Sequence, residues 1–301
     1  MESTLIRRRV VGSALAAAAG LLAQRAFPLV RAQASGPSVV STHISFGAQT
    51  NAFAIQPARF ETFLDALTQI RSLGYDGFET GFVNLRSQAN SLPSARKPIE
   101  ATGLTFLGIH IFLPEYDPQT SIAPRALYET VAHQGAETGA QRLVLSGAPA
   151  VTADEVKRKA DALNAAGEFA STLGLKLAYH NHWWEAKYHA LELEGLYAGT
   201  DPDRVSFLMD VGHASRTDLD LPLFVEKHAA RLAGLHFRDF VNGKQVPLGQ
   251  GKFPLKQVAA ALKQANWQGW AINEEEREDG TKLGRAALET SLQSLKGAFS
   301  A

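Results

Sequence analysis

The stretch that decides the fold runs from Val205 to Asp239. It opens on Val205-Ser-Phe-Leu-Met-Asp210-Val-Gly-His213 and, after a helix-like interval, closes on Leu232-Ala-Gly-Leu-His236-Phe-Arg-Asp239. Each end is a short apolar run that stops at ionisable residues. An ionised Asp that follows largely apolar residues is expensive to bury without a cation or strong donors. Strand alternation places His236 and Arg238 on one face, with Asp239 near the strand end. Gly212 permits a sharp turn that brings His213 over the same centre as Asp210.

Outward from this stretch the same rhythm recurs about every 30 residues, the mark of βα units. The strand-like runs are Thr42 to Gly47, Gly77 to Thr80, Leu104 to Phe112, Arg142 to Ser146, Leu175 to His180, Val205 to Asp210, Leu232 to Phe237 and Trp270 to Asn273. Eight such units over about 265 residues favour an α/β closed (β/α)8 TIM barrel over an open doubly wound sheet. The intervening segments support it. Phe60, Phe63, Leu64, Leu67 and Ile70 form a helical stripe that ends at Leu73-Gly74, Thr152 with Glu155 makes a capping box, and Leu288, Leu292 and Leu295 mark a last helix.

The first 34 residues stand apart. Arg7-Arg8-Arg9 precedes an uncharged Ala/Leu-rich run from Val10 to Gln24 and then Ala32-Gln33-Ala34, a small-x-small cleavage pattern. We read residues 1–34 as an export signal of the twin-arginine kind, with residues 35–301 as one catalytic barrel domain in the periplasm or otherwise exported. The run of about 15 apolar residues is too short for a bilayer span, so no membrane span is expected after signal removal. The chain of 301 residues has no cysteine, which excludes disulfides, thiolate ligands and a thiol nucleophile. Without the leader, which holds five arginines and one glutamate, 25 basic and 29 acidic residues remain, a net charge of −4. That surface lacks the basic footprint of a nucleic-acid binder.

In a barrel of this kind chemistry gathers at the C-terminal strand ends. The fifth strand ends in Tyr179-His180-Asn181-His182-Trp183-Trp184-Glu185, the eighth in Trp270-Ala-Ile-Asn-Glu274-Glu275-Glu276-Arg277. Histidine serves as metal ligand or as acid and base, or as a hydrogen-bonding spacer. The paired tryptophans suit either packing or a sugar face. Arg238 can anchor a substrate oxygen or pair with Asp239. Glu274 is placed to point into the barrel mouth, whereas Glu275 and Glu276 read as solvent-facing, with Arg277 able to neutralise one of them. Successive strands thus end in His or Glu, Asp, His and Glu, a mixed set that suits Mn²⁺, Zn²⁺, Fe²⁺ or Co²⁺ better than Ca²⁺.

This ordered set resembles the xylose isomerase-like barrels, specifically the sugar phosphate isomerase/epimerase group that also includes inosose dehydratases, ketose 3-epimerases and apurinic endonucleases. The resemblance spans nearly the whole chain after the leader. It is carried by Tyr179-His-Asn-His with Glu185, Asp210-Val-Gly-His213, His236-Phe-Arg-Asp239, Gly249-Gln-Gly251 and Trp270-x-x-x-Glu274. It implies one divalent ion, manganese by preference, held by one residue from each of the last four strands. Asp210, His236 and Glu274 match three of these. Where the epimerases carry a fifth-strand glutamate, this chain has His180, so Glu185 is expected to swing back as the fourth ligand, with His180 itself as the alternative. His180, His182 and Glu274 are then the catalytic acid and base residues. His213, Arg238, Trp183, Trp184, His110 and Glu79 are expected to bind substrate.

The expected activity is that of a divalent-metal-dependent isomerase or epimerase that works through a metal-bound enediolate on a non-phosphorylated sugar, keto sugar or cyclitol. The resemblance to ketose epimerases implies a proton shuttle of two glutamates on opposite faces of the enediolate; His180 in place of one of them brings in a lyase or dehydratase alternative, by β-elimination from the same intermediate on an inosose or keto-glycoside. A reading from another class is a non-catalytic periplasmic sugar-binding barrel. The expected partner is a small molecule rather than a nucleic acid, and homo-oligomerisation is left open.

Overall fold

The computed structural model describes residues 43–88, 91–277 and 279–300. The leader lies outside these residues. Ten strands are present among them: β1 Ile44–Gln49, β2 Gly77–Gly81, β3 Thr105–Ile111, β4 Arg142–Leu145, β5 Lys176–His180, β6 Val205–Asp210, β7 Leu232–Phe237, β8 Asp239–Val241, β9 Lys244–Val246 and β10 Gly269–Asn273. Eight of them close into a parallel barrel in the order β1-β10-β7-β6-β5-β4-β3-β2. The expected (β/α)8 architecture is therefore present, with each barrel strand within two residues of its sequence-based position. The short antiparallel hairpin β8-β9 is the addition that the sequence reading lacks.

The helices that return the chain are α1 Phe60–Leu73, α2 Leu92–Glu100, α3 Arg125–Thr138, α4 Ala153–Thr172, α5 Lys187–Gly199, α6 Val211–Ala214, α7 Leu221–His228, α8 Leu255–Gln264 and α9 Gly284–Ser300. Their ends follow local chemistry. Gly74, with φ 93°, takes the left-handed position that ends α1, where a Cβ would be strained. The Thr152 hydroxyl accepts from the Glu155 amide while Glu155 accepts from the Thr152 amide, a complete capping box for α4. No helix among the described residues is long and apolar enough to cross a membrane.

Alternation along the strands builds two cores. Leu107, Val144, Ala178, Leu208 and Ile272 point inward and fill the barrel beneath the site. Their outward neighbours, such as Phe207, Met209, Leu235 and Phe237, pack beneath the helix layer. The inward row is thus apolar low in the barrel and turns polar only at the strand ends. On β6 the step from Leu208 to Asp210 makes that change within one alternation.

Candidate active site

Four ligand-type side chains converge at the ends of β5, β6, β7 and β10, which are neighbours around the barrel wall: His180, Asp210, His236 and Glu274. All four are buried, and one donor atom from each lies within 4.8 Å of every other. His180 Nε2 stands 3.0 Å from His236 Nδ1, 3.6 Å from Asp210 Oδ2 and 3.5 Å from Glu274 Oε2. His236 Nδ1 also meets Glu274 Oε2 directly. Donors about 2.0–2.2 Å from one ion and at right angles lie roughly 3 Å apart, so this spacing fits one coordination sphere. Two imidazoles with two carboxylates also balance a divalent charge. The residues present therefore fit a transition-type divalent ion.

The support for these four is polar and mostly neutral in sum. His236 turns its other nitrogen, Nε2, to Glu79 Oε2 at 2.6 Å, and His110 Nε2 reaches the same oxygen at 2.8 Å. That bond fixes the tautomer that leaves Nδ1 facing the centre. Burial opposes a charged ring, but Glu274 and Glu79 push His236 up to about 10. Burial likewise opposes ionisation of Glu79, yet His110 and His236 hold its carboxyl below the usual range. Asn181 bridges the ends of β5 and β6, its Oδ1 accepting from the Asp210 amide at 2.9 Å and its Nδ2 donating to the Asp210 carbonyl at 3.2 Å.

Asp210 is held on both oxygens. Oδ1 accepts the His213 amide at 2.7 Å, capping the short α6, and Oδ2 accepts from Arg238 Nε at 2.6 Å. Arg238 Nη2 also reaches Glu274 Oε2 at 2.6 Å, so one guanidinium spans two of the four donors. Despite burial, Arg238 holds the carboxyl of Asp210 below its ordinary range and, with His236, that of Glu274 well below. Gly212 makes the close approach possible, since a Cβ there would stand 2.5 Å from Arg238 Cβ.

Several expectations need correction. Glu185 does not swing back. Its carboxylate takes the Tyr179 hydroxyl at 2.6 Å and the His182 amide at 2.9 Å, with Lys159 Nζ at 3.6 Å, and is fully buried away from the four donors. A carboxylate held by two hydrogen bonds and a buried ammonium has no reason to leave them, and His180 occupies the fourth corner instead. Arg238 does not pair with Asp239 but with Asp210 and Glu274. Asp239 gathers the amides of Phe240, Gly249, Gly251 and Phe253, and a Cβ at Gly251 would collide with it, which explains the Gly249-Gln-Gly251 turn. Glu275 is not solvent-facing: Ser291, Asn273 and Gln245 bind it in the interior.

The remaining predicted residues gather in one cavity of about 870 Å³ above the four donors. His110, His180, His182, Trp183, Trp184, His213, Arg238 and Glu274 line it, whereas Glu79 lies beneath, behind His110 and His236. His182 stacks on Trp184 with ring centres 4.3 Å apart and 9° between planes. Burial, with His180 and His213 nearby, pulls His182 down to about 2, and burial pulls His213 down to about 3, so both rings are neutral at ordinary pH. Three lining residues had no part in the sequence reading. Asn51 donates to Glu274 Oε1 at 2.8 Å, Gln245 of the hairpin donates to the Glu274 carbonyl at 2.5 Å, and Gln49 caps the turn that carries Asn51. Nothing local marks an amide side chain as a site residue, so only the folded wall reveals them.

Comparison with known proteins places this architecture. The family model for xylose isomerase-like TIM barrels matches residues 67–297, and the chain belongs to that family. Inosose dehydratase of Bacillus licheniformis is 31% identical over an alignment of 159 residues that covers 46% of this chain and 53% of that protein, so the match spans about half the relative's length. Inosose dehydratase of Lacticaseibacillus casei is 26% identical over 72% of this chain and 83% of its own. Among solved structures, L-ribulose 3-epimerase superposes with a TM-score of 0.71 at 17% identity, covering 85% of this chain and 94% of that one. The IolI protein, solved with a bound zinc atom, gives 0.69 at 16% identity over 85% and 98%. These two likenesses concern the fold. The expected membership of the xylose isomerase-like barrels is thereby shown.

Proposed function

We propose that this chain is a divalent-metal-dependent isomerase or epimerase of a non-phosphorylated polyhydroxy carbonyl compound, exported by way of its leader. The observation that carries the reading is the convergence of His180, Asp210, His236 and Glu274 at four adjacent strand ends. An ion bound there polarises a carbonyl and its neighbouring hydroxyl, which acidifies the C–H between them. Manganese heads the ions that suit this mixed donor set, with zinc, cobalt and iron behind it; the zinc found in IolI supports the class rather than the element.

The chain's own groups would do the rest. Arg238 fixes Asp210 and Glu274 and carries the permanent positive charge that favours an oxyanion beside them. The neutral rings of His182 and His213 supply hydrogen-bonding nitrogens on the cavity side, and His182 is the residue we assign to proton transfer, braced by Trp184. The acidified carbon would sit against a floor whose ligand-type side chains are themselves buried. Returning the proton to the other carbon or the other face gives isomerisation or epimerisation.

β-Elimination is the second reading, favoured by one specific feature. His180 stands where a shuttle with two opposed carboxylates would need its second glutamate, so a proton removed on one face has no matching carboxylic acid on the other. The inosose dehydratase relatives support this branch. Metal analysis followed by deuterium exchange of keto sugars and inososes in D₂O tests the proposal. Bound metal near one equivalent with chelator-sensitive exchange is expected. A metal-free protein that binds sugars without exchange would turn the reading to a binding barrel, and loss of water or of a substituent from the product would select elimination.

A further inference from the structure

Each carboxylate of the four-donor centre keeps one oxygen turned away from it. Asp210 offers Oδ2 to His180 and Arg238, at 3.6 and 2.6 Å, while its Oδ1 accepts the His213 amide at 2.7 Å. Glu274 offers Oε2 to His180, His236 and Arg238, whereas its Oε1 accepts from Asn51 Nδ2 at 2.8 Å. The imidazoles follow the same rule. Behind the inward Nδ1 of His236 its Nε2 meets Glu79 at 2.6 Å, and behind the inward Nε2 of His180 its Nδ1 meets Ser146 Oγ at 3.4 Å. Four residues thus address the centre with four atoms, and the protein engages the second polar atom of each.

Among these outer partners Asn51 has a particular task. The two nitrogens of an imidazole point apart and cannot share one ion, but a carboxylate can bind a divalent ion through one oxygen or through both. Asp210 is restrained from the second mode by a main-chain amide. For Glu274 a modest rotation of the carboxylate would carry Oε1 towards the same ion, and Asn51 opposes that rotation. An ionised carboxylate only accepts hydrogen bonds, so the amide must turn its nitrogen to Oε1, which fixes the orientation of the Asn51 side chain.

Both partners are anchored. Parallel pairing of Ala48 with Asn273 sets the ends of β1 and β10 side by side, so the turn Thr50–Ala52 that carries Asn51 stands next to Glu274. The Gln49 side chain accepts the Thr50 amide at 2.9 Å, and Thr50 Oγ1 meets Thr80 Oγ1 of β2 at 2.7 Å. On the other side the Glu274 amide donates to the Phe237 carbonyl at 3.2 Å, and Gln245 Nε2 donates to the Glu274 carbonyl at 2.5 Å. With its backbone held at both polar groups, Glu274 keeps only the freedom of its side chain, and Asn51 limits that.

We propose that Asn51 is a positioning residue that holds Glu274 to ligation through one oxygen, so that an ion in the centre keeps positions open for a carbonyl and its neighbouring hydroxyl. The inference rests on the metal reading above and adds the donor count to it. A manganese ion takes about six donors in all, so four protein atoms leave about two positions, and a second Glu274 oxygen would occupy one of them. Loss of Asn51 therefore differs from loss of Glu79, because the freed oxygen can itself join the ion and the metal is kept.

The test loads the parent, Asn51→Leu and Asn51→Ala with Mn²⁺. Metal per chain, the water-proton relaxation rate per bound ion and the affinity for acetohydroxamate, a small two-oxygen chelator, are then measured. Both variants lack the amide donor but differ in bulk, so a change that they share reports the donor and not packing. Metal content should stay within about twofold of the parent, while the bound-water contribution to relaxation falls to about half as two waters become one. Hydroxamate should bind about 10-fold or more weakly to both variants, since it can no longer seat both oxygens. Unchanged relaxation per bound ion overturns the proposal. Loss of the ion from both variants, with the barrel intact by circular dichroism, overturns it too, because Asn51 would then merely support Glu274. A parent that binds no divalent ion overturns the metal reading and this inference with it, so the parent alone tells the two failures apart.

Discussion

His236 presents its two ring nitrogens to two different carboxylates: Nε2 to Glu79 at 2.6 Å, beneath the site, and Nδ1 to Glu274 within it. The ring is thereby oriented from behind by a residue that offers no atom to the four-donor centre. Glu79 was expected to touch substrate, and its burial under His110 and His236 makes it a positioning residue. Glu79→Gln should keep the barrel folded yet weaken metal affinity by roughly 10–100-fold, the usual cost of losing such an outer carboxylate. Competition against a chelator would show it, and an unchanged affinity would refute the role.

Removing a corner of the centre should do more. Asp210→Ala and His236→Ala are each expected to abolish tight metal binding, read as metal per chain after dialysis. His213→Ala should leave metal content near that of the parent while lowering turnover. Full occupancy in Asp210→Ala would mean that the ion sits elsewhere.

Metal binding should expel protons. Without an ion the neighbouring carboxylates raise His236 to about 10, so at pH 7 its Nδ1 carries a proton that an incoming ion must displace. Affinity should therefore climb with pH between 7 and about 10, by about tenfold per unit for each proton released. Calorimetry in buffers of different ionisation enthalpy counts the protons. The metal-free protein has the opposite dependence. A raised pKa contributes stability in full below the unfolded value of 6.5, and that share fades as pH rises through about 10. At the acid end, Asp210 and Glu274, both held below their ordinary ranges, contribute stability that is present in full above those ranges and is lost progressively as pH falls from them toward the lowered folded values. Thermal unfolding of chelator-treated protein across pH 3 to 10 would display the alkaline limb and the onset of the acid one.

A buried charge cluster behind β5 gives a prediction about stability. Lys159 Nζ lies 2.7 Å from Glu192, 2.8 Å from the Ala148 carbonyl and 3.6 Å from Glu185, with no exposed surface. Lys159→Met leaves two carboxylates facing each other in the interior and should cost about 3–5 kcal/mol. Denaturant unfolding would measure it. Because Glu185 also holds the His182 amide, the same variant should weaken sugar binding before it unfolds.

The barrel was legible because each strand combined an apolar run with an abrupt polar end, and eight repeats of that pattern leave little choice of topology. Asp210, His236 and Glu274 were legible for the same reason, as charges that terminate strands. Glu185 misled because distance along the chain says nothing about competing donors. Tyr179 and the His182 amide capture it locally, and Lys159, far away in sequence, reinforces them. Glu275 misled because three adjacent glutamates resemble a solvated run, while Ser291 and Gln245, which bind the middle one, come from α9 and β9. Asn51 and Gln245 left no trace, since a neutral amide acquires a role only from what the fold sets opposite it.

The clamp formed by Asp239 divides its loop into a fixed base and a variable tip. Four amides and the Gln245 contact anchor the hairpin from below, whereas Gly243 and Lys244 at its end look into the cavity mouth. Changes at the tip can therefore alter what the mouth accepts without passing strain to the strand that carries His236. That separation gives evolution, or a designer, a place to retune ligand choice while the catalytic floor stays as it is.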